Sequence, residues 1–359
     1  MKTPTATQFL SRLNLQHPIV LAPMAGVVTP ALAAAVSNAG GLGSLGFGSS
    51  TAQQALEAIK QTQALTSKPF NVNVFCHTPP QRNAAQEAAW IKHLVPLFEQ
   101  VGATPPATLD ETYKSFHEDE DMFNVLLAQR PAVVSFHFGL PAPHKLKALR
   151  DAGIYTMATA TCVEEALQIQ QAGVDAIVAQ GIEAGGHRGI FNPEGNDERY
   201  STAVLVSQLV RRTRLPVIAA GGVMNGQGIR AMLALGAAAA QLGTAFILCP
   251  ESSASAAYKA NLKSARAVHT RLTASLSGRP ARGLVNALIT HGEAAGSPAP
   301  AAYPLAYHAA RQLNAAAAKL GNHEFAAHWA GQGAPLAKEL PAADLVLELA
   351  KELADSDQR

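Results

Sequence analysis

The chain has 359 residues, 48% of them hydrophobic and 6% aromatic, which supplies a large core and favours helices packed closely on a sheet over an aromatic-rich β-sandwich. With 28 Lys and Arg against 26 Asp and Glu and no block of like charge, nothing points to nucleic acid or a membrane surface, and a small molecule is the expected partner. No apolar run is long enough to span a bilayer and the first residues lack a signal-peptide core, so a soluble cytoplasmic protein is expected.

Short apolar strands alternate with amphipathic segments of helix length, the pattern of repeated βα units around a parallel sheet. It predicts strands near Ile19–Ala22, Gly41–Leu45, Phe70–Val74, Ala132–Phe136, Ile154–Thr159, Ala176–Gln180, Val217–Ala220 and Ala239–Leu242. The helices fall at Thr29–Asn38, Thr51–Thr62, Asn83–Val101, Asp119–Gln129, Pro143–Ala152, Cys162–Ala172, Ser201–Arg212 and Gly226–Leu235. Several close on a glycine, at Gly40, Gly153, Gly173 and Gly236, as a left-handed C-cap requires. The fold class is therefore α/β, a (β/α)8 TIM barrel, with its site at the C-terminal ends of the strands.

Two segments break the rhythm, a Pro-containing connection at 102–118 and a polar loop, NPEGNDERY, at 192–200. Beyond Leu248 the pattern changes. Residues 1–250 read as the barrel and 251–359 as a mainly helical extension over its mouth, with helices at Glu251–Ser264, Ala309–Leu320 and Ala342–Ala354. The last helix is expected to dock on the barrel, an oligomer contact being the alternative; monomer and homodimer both stay open. Cys76, Cys162 and Cys249 are odd in number and widely spaced, which fits reduced thiols.

The stretch AIVAQGIEAGGHRGIF, residues 176–191, runs a buried strand into a loop with four glycines and His187. Such backbone is approached closely by something, and an imidazole delivered there is a candidate for chemistry on a ligand. Residues at the other strand ends converge on the same bowl. They include Met24, Asn73, His137, Gln180, Gly222 and the run Gln241, Leu242, Gly243 and Thr244. The glycines ending the seventh and eighth strands expose N–H groups that can cradle a phosphate, or simply serve tight turns. Asn73 and Gln180 offer donor and acceptor to the edge of a planar ring such as an isoalloxazine, and Met24 packs either on a ring face or in the core. His187 and His137 can take a proton or, protonated, hold an anion; His77 follows the third strand and is a further candidate. No set of metal ligands occurs at a recognised spacing.

Taken together, LAPMAGVVTPALAAAVSNAGGLGSLG, PFNVNVF, VVSFHFG, QGIEAGGHRG, LPVIAAGGV and QLGTAFILCPES resemble the class I nitronate monooxygenases, formerly 2-nitropropane dioxygenases. The resemblance runs from about Leu15 to Leu276 and resumes at GNHEFAAHWAGQGA, residues 321–334. It implies an FMN-dependent barrel that oxidises alkyl nitronates, such as propionate 3-nitronate, with O2 through an anionic flavosemiquinone, giving a carbonyl product and nitrite or nitrate in a detoxifying reaction. It also implies His187 as the catalytic histidine, His137 near substrate, and FMN held by Met24, Asn73, Gln180, Gly185, Gly222 and Gln241 to Thr244. EAGGH is shared with FMN-dependent enoyl-ACP reductases, so an NAD(P)H-dependent FMN reductase of enoyl-ACP or quinone substrates is the alternative.

Overall fold

A computed structural model of the chain describes residues 6–355. Its strands are β1 (Ile19–Leu21), β2 (Gly43–Gly46), β3 (Phe70–Phe75), β4 (Val133–His137), β5 (Tyr155–Ala160), β6 (Ala176–Gln180), β7 (Gly186–His187), β8 (Val217–Ala220), β9 (Ala239–Leu242), β10 (Thr270–Thr273) and β11 (Ala281–Leu284). Eight of them form one parallel sheet in the order β1-β9-β8-β6-β5-β4-β3-β2. Its two ends meet where the Leu21 N–H donates to the Leu42 carbonyl and the Leu42 N–H to the Ile19 carbonyl, each at 2.9 Å. The result is the closed TIM barrel expected, with the strands, their order and the eight intervening helices in place.

Strand alternation sorts the side chains into two apolar layers and a polar rim. Ile177 and Ala179 of β6, like Val217 and Ala219 of β8, face the surrounding helices, while Ala176, Val178, Ile218 and Ala220 fill the interior. The inward phase, continued to the strand ends, carries Asn73, Ser135, His137, Thr159 and Gln180 to the rim of the barrel. At the opposite end Phe9, on a helix spanning Ala6–Arg12, meets Tyr155 edge-on at 6.1 Å and closes the barrel bottom. The four C-capping glycines have φ between 81° and 99°, as their turns demand.

Beyond residue 250 the extension holds helices at Ala256–Leu262, Leu305–Ala318 and Ala342–Asp355. It also holds something not expected, an antiparallel pair β10 and β11 to which β7 adds as a third strand. In the ladder Ala281 lies opposite His187 and Arg282 opposite Gly186. The loop that carries the histidine is thereby an edge of the extension's own sheet. The last helix buries Ala342, Leu345, Val346 and Leu349 against the helices Pro30–Asn38 and Gly226–Ala234, so it docks on the barrel. No helix among the described residues is long and apolar enough to cross a membrane. Residues 1–5 and 356–359, the outer ends of the division at residue 250, lie outside the described residues.

Candidate active site

A cavity of about 370 Å3 opens at the C-terminal rim of the barrel, where such sites are expected. Met24, Asn73, His137, Gln180, Gly185, His187, Gly222, Gln241, Gly243 and Thr244 all line it. Leu242 does not: it points the other way along β9 and packs with Ile19 and Leu21 in the core. His77 is also excluded from the cavity, enclosed behind Phe138 and Tyr303, whose rings lie 6.3 and 5.1 Å from its own.

His187 is held at three points. Its carbonyl accepts from Gln180 Nε2 at 2.9 Å and lies 3.1 Å from His137 Nε2. Its ring Nε2 lies 2.9 Å from Ser277 Oγ, whereas no partner for Nδ1 occurs among the described residues and that atom keeps access to the cavity. A carbonyl only accepts, so His137 carries its proton on Nε2, and its Nδ1 accepts from Thr159 Oγ1 at 3.0 Å. Both nitrogens of His137 are thus engaged within the protein, and the ring acts as a brace for residue 187. Gln180 is committed in the same way, because its Oε1 also accepts from the Gly189 N–H at 2.7 Å. The amide expected to read a ring edge clamps the histidine loop, while its side chain also lines the cavity. Asn73 differs: its Nδ2 donates to the Ser135 carbonyl at 3.1 Å and hydroxyl at 2.9 Å, leaving Oδ1 as an acceptor at the cavity wall.

The electrostatics follow from burial beside an unneutralised cation. Phe138, Tyr303 and Trp329 surround His187 at centroid distances of 5.7, 5.4 and 5.1 Å. Phe138 reaches this place with φ at 72°, a left-handed conformation that costs a bulky residue about 1 kcal/mol. Its other neighbour is the buried Arg279, whose guanidinium lies 4.2 Å over the ring and has no carboxylate partner among the described residues. Burial lowers the His187 pKa to about 3, with His137, Arg279 and His77 adding to the effect; burial, then Arg279 and Arg188, lowers that of His137 to about 4. His187 therefore stands neutral at neutral pH, with its Nδ1 facing the cavity.

His77 gives a direct test of this buried field. It is wholly buried, neither ring nitrogen has a hydrogen-bond partner, and burial followed by Arg279 and His117 lowers its pKa to about 4. Below the ordinary pKa of about 6.5 the unfolded chain binds a proton here that the folded chain refuses, so stability falls as pH drops through that window. His77→Leu, close in volume, removes that loss. Between pH 7.5 and 5 its unfolding free energy should change by about 2 kcal/mol less than the wild type's, measured by urea denaturation at the two pH values. An unchanged difference would count against the burial of a neutral imidazole there.

Opposite the histidine, the loops after β8 and β9 turn backbone donors inward. Among the described residues the N–H groups of Gly222, Val223, Thr244 and Ala245 have no acceptor. Ala245 is buried in the core within the short turn Thr244–Phe246, so three free donors, those of Gly222, Val223 and Thr244, belong to residues that line the cavity and suit an anion. The neighbouring helix starts are already capped, that of Thr202–Arg212 by the Glu183 carboxylate and that of Gly226–Ala234 by Asn225 and Glu352. The extension seals this side: the Gly331 N–H donates to Thr244 Oγ1 at 3.0 Å and the Gln332 N–H to the Glu183 carbonyl at 2.9 Å.

Several site residues carried no signal in the sequence. Tyr113 comes from the irregular connection at 102–118, and Tyr258, Tyr307 and Arg311 from the extension; Trp329 lies in the stretch 321–334 that carried the resemblance but was not singled out there. Ser277 and Arg279 sit on the turn between β10 and β11, strands that were not predicted. Thr159 and Ser135 were within reach, as inward residues near the ends of β5 and β4.

The sequence model of the nitronate monooxygenase family matches residues 7–352. A nitronate monooxygenase of Paraburkholderia phytofirmans is 55% identical over 97% of this chain and 95% of its own, and one of Pseudomonas aeruginosa is 54% identical over 96% and 99%. A solved nitroalkane oxidase of Streptomyces ansochromogenes superposes with a TM-score of 0.90 at 41% identity, covering 99% of both chains. FabK of Thermotoga maritima is more distant, with a TM-score of 0.74 at 28% identity over 100% of this chain and 98% of that one. A family match across almost the whole chain, on a barrel whose rim carries the histidine, the anion cradle and the aromatic wall, leads to one conclusion: the chain belongs to the nitronate monooxygenase family.

Proposed function

We propose that this chain is an FMN-dependent monooxygenase that oxidises alkyl nitronates with O2 to a carbonyl product and nitrite or nitrate. The observation that carries the reading is the opposition, across one cavity, of three unpaired backbone N–H groups and a neutral imidazole with a free Nδ1. The donors at Gly222, Val223 and Thr244 fit a phosphate, and Asn73 Oδ1 fits a ring N–H, while Met24 and Gly243 line the wall between them. FMN bound there supplies one-electron acceptance from a carbanion-like substrate. Arg311, at the cavity mouth beside Tyr113 and Tyr307, supplies a positive charge for a nitronate bearing a carboxylate, as propionate 3-nitronate does. We assign residues 251–355 the role of completing the substrate pocket.

His187 takes the proton of a neutral nitroalkane at Nδ1; a bound anion beside it raises its affinity for that proton. His137 and Gln180 keep the histidine's backbone in place. The test is an anaerobic titration of the FMN-loaded protein. Propionate 3-nitronate should produce the spectrum of a one-electron-reduced flavin, and NADPH should leave the oxidised spectrum intact. Bleaching by NADPH to the two-electron-reduced form, with no response to the nitronate, would replace this reading by that of a reductase.

A further inference from the structure

The ring of His187 has two tautomers, and only one of them presents a lone pair to the cavity. We propose that Ser277 is the positioning residue that selects it. Ser277 Oγ lies 2.9 Å from His187 Nε2, 3.1 Å from the Arg279 carbonyl and 3.4 Å from the Arg279 N–H. A hydroxyl has one proton and two lone pairs, so these three contacts are all satisfied in a single arrangement. The carbonyl can only accept and takes the hydroxyl proton; the Arg279 N–H donates to the oxygen. The remaining lone pair must then receive a proton from His187 Nε2, which leaves Nδ1 unprotonated.

The opposite arrangement has Ser277 donating to Nε2. It deprives the Arg279 carbonyl of the only donor it has among the described residues, in a place where Ser277 is fully buried. That loss biases the ring toward the Nε2–H form by about tenfold or more. The hydroxyl is fixed in turn by its backbone. Ser277 lies on a turn closed by the Gly278 N–H donating to the Ala274 carbonyl at 2.8 Å, and a Cβ added at Gly278 would stand 2.3 Å from the Ala301 carbonyl oxygen. The turn leads directly into β11, the strand that pairs with residue 187. One short segment of the extension thus sets both the backbone and the protonation of the histidine.

This inference builds on the base role proposed for His187, and its test separates the two. In protein labelled with 15N at histidine and loaded with FMN, the His187 signals are identified by their loss in His187→Asn. Nδ1 should show the shift of an unprotonated ring nitrogen and Nε2 that of a protonated one. In Ser277→Ala the Nε2 proton loses its acceptor, and the pattern should reverse or average; Ser277→Thr, which retains the hydroxyl, should restore it. With neutral nitroethane, Ser277→Ala should lower kcat about tenfold with KM within about twofold, and Ser277→Thr should recover it. Ser277→Cys, with a weaker donor and acceptor, should fall between the two and replaces the threonine variant if that one does not fold. A wild-type Nδ1 that is protonated, or an alanine variant with the wild-type nitrogen pattern, overturns the proposal. The nitrogen pattern is read without turnover, so a protein that oxidises no nitronate refutes the proposed function while still deciding the role of Ser277.

Discussion

His187→Asn should lower kcat on a neutral nitroalkane by a factor of about 100 to 10,000, the range that a positioned general base contributes, while FMN stays bound. Asparagine preserves a polar side chain of similar reach but cannot take up a proton. The contacts that hold the loop survive the change, since Gln180 and His137 grip the backbone carbonyl and not the ring. The anion cradle on the far wall is built from other segments and is untouched. A preformed nitronate needs no deprotonation and should lose much less, so the ratio of the two activities is the diagnostic quantity. The acid side of the pH profile follows from the same geometry. With the histidine pKa lowered to about 3 by burial, His187 remains neutral through the whole range from about pH 8 to pH 5, and wild-type kcat/KM for a neutral nitroalkane should show no descending limb near the ordinary imidazole pKa. Equal activity of variant and wild type on both substrates would remove His187 from the reaction.

The barrel was legible because its strands are uniform. β6, β8 and β9 begin and end at the predicted residues, each a short apolar run between turn formers, and nothing in the tertiary structure competes with that pattern. The strands β10 and β11 were illegible for the opposite reason. Their sequences, TRLT and ARGL, place arginines where an apolar residue signals a strand, and Arg282 is buried only because its Nε donates to the Ile182 carbonyl at 3.0 Å and its Nη1 to Thr270 Oγ1 at 3.2 Å. At the site, strand phase brought Asn73, His137 and Gln180 to the rim, yet phase says nothing about which polar atoms find partners inside the protein. His137 and Gln180 both line the cavity, and only three-dimensional contacts show that they also brace residue 187. Ser277 lies ninety residues beyond the histidine it touches, on a turn with no pattern of its own.

The loop glycines make the coupling between barrel and extension testable, because two adjacent ones differ in what surrounds them. A Cβ on Gly185 would lie 2.5 Å from the Gly331 nitrogen and 2.6 Å from the Ala330 carbonyl carbon. Both are backbone atoms, so no side-chain rotation relieves the overlap, and Gly185→Ala must push the segment at 329–333 away from the loop. That movement strains the hydrogen bonds from Gly331 to Thr244 and from Gln332 to Glu183, and it loosens the wall where Thr244 presents its donor. Gly186, by contrast, has nothing within 4 Å of its Cβ direction, and its φ of 75° is its only demand. Gly186→Ala should therefore cost about 1 kcal/mol, the ordinary cost of a left-handed alanine, and retain FMN. Gly185→Ala should cost about 3 kcal/mol or more and weaken FMN retention, since overpacking against fixed backbone exceeds strain in a single dihedral. Thermal melts and flavin retention on gel filtration, run on the two variants side by side, decide it. Equal losses at the two positions would mean that the extension does not clamp the histidine loop; a larger loss at Gly185 places the seal of the cofactor site in the backbone contact between residues 185 and 331.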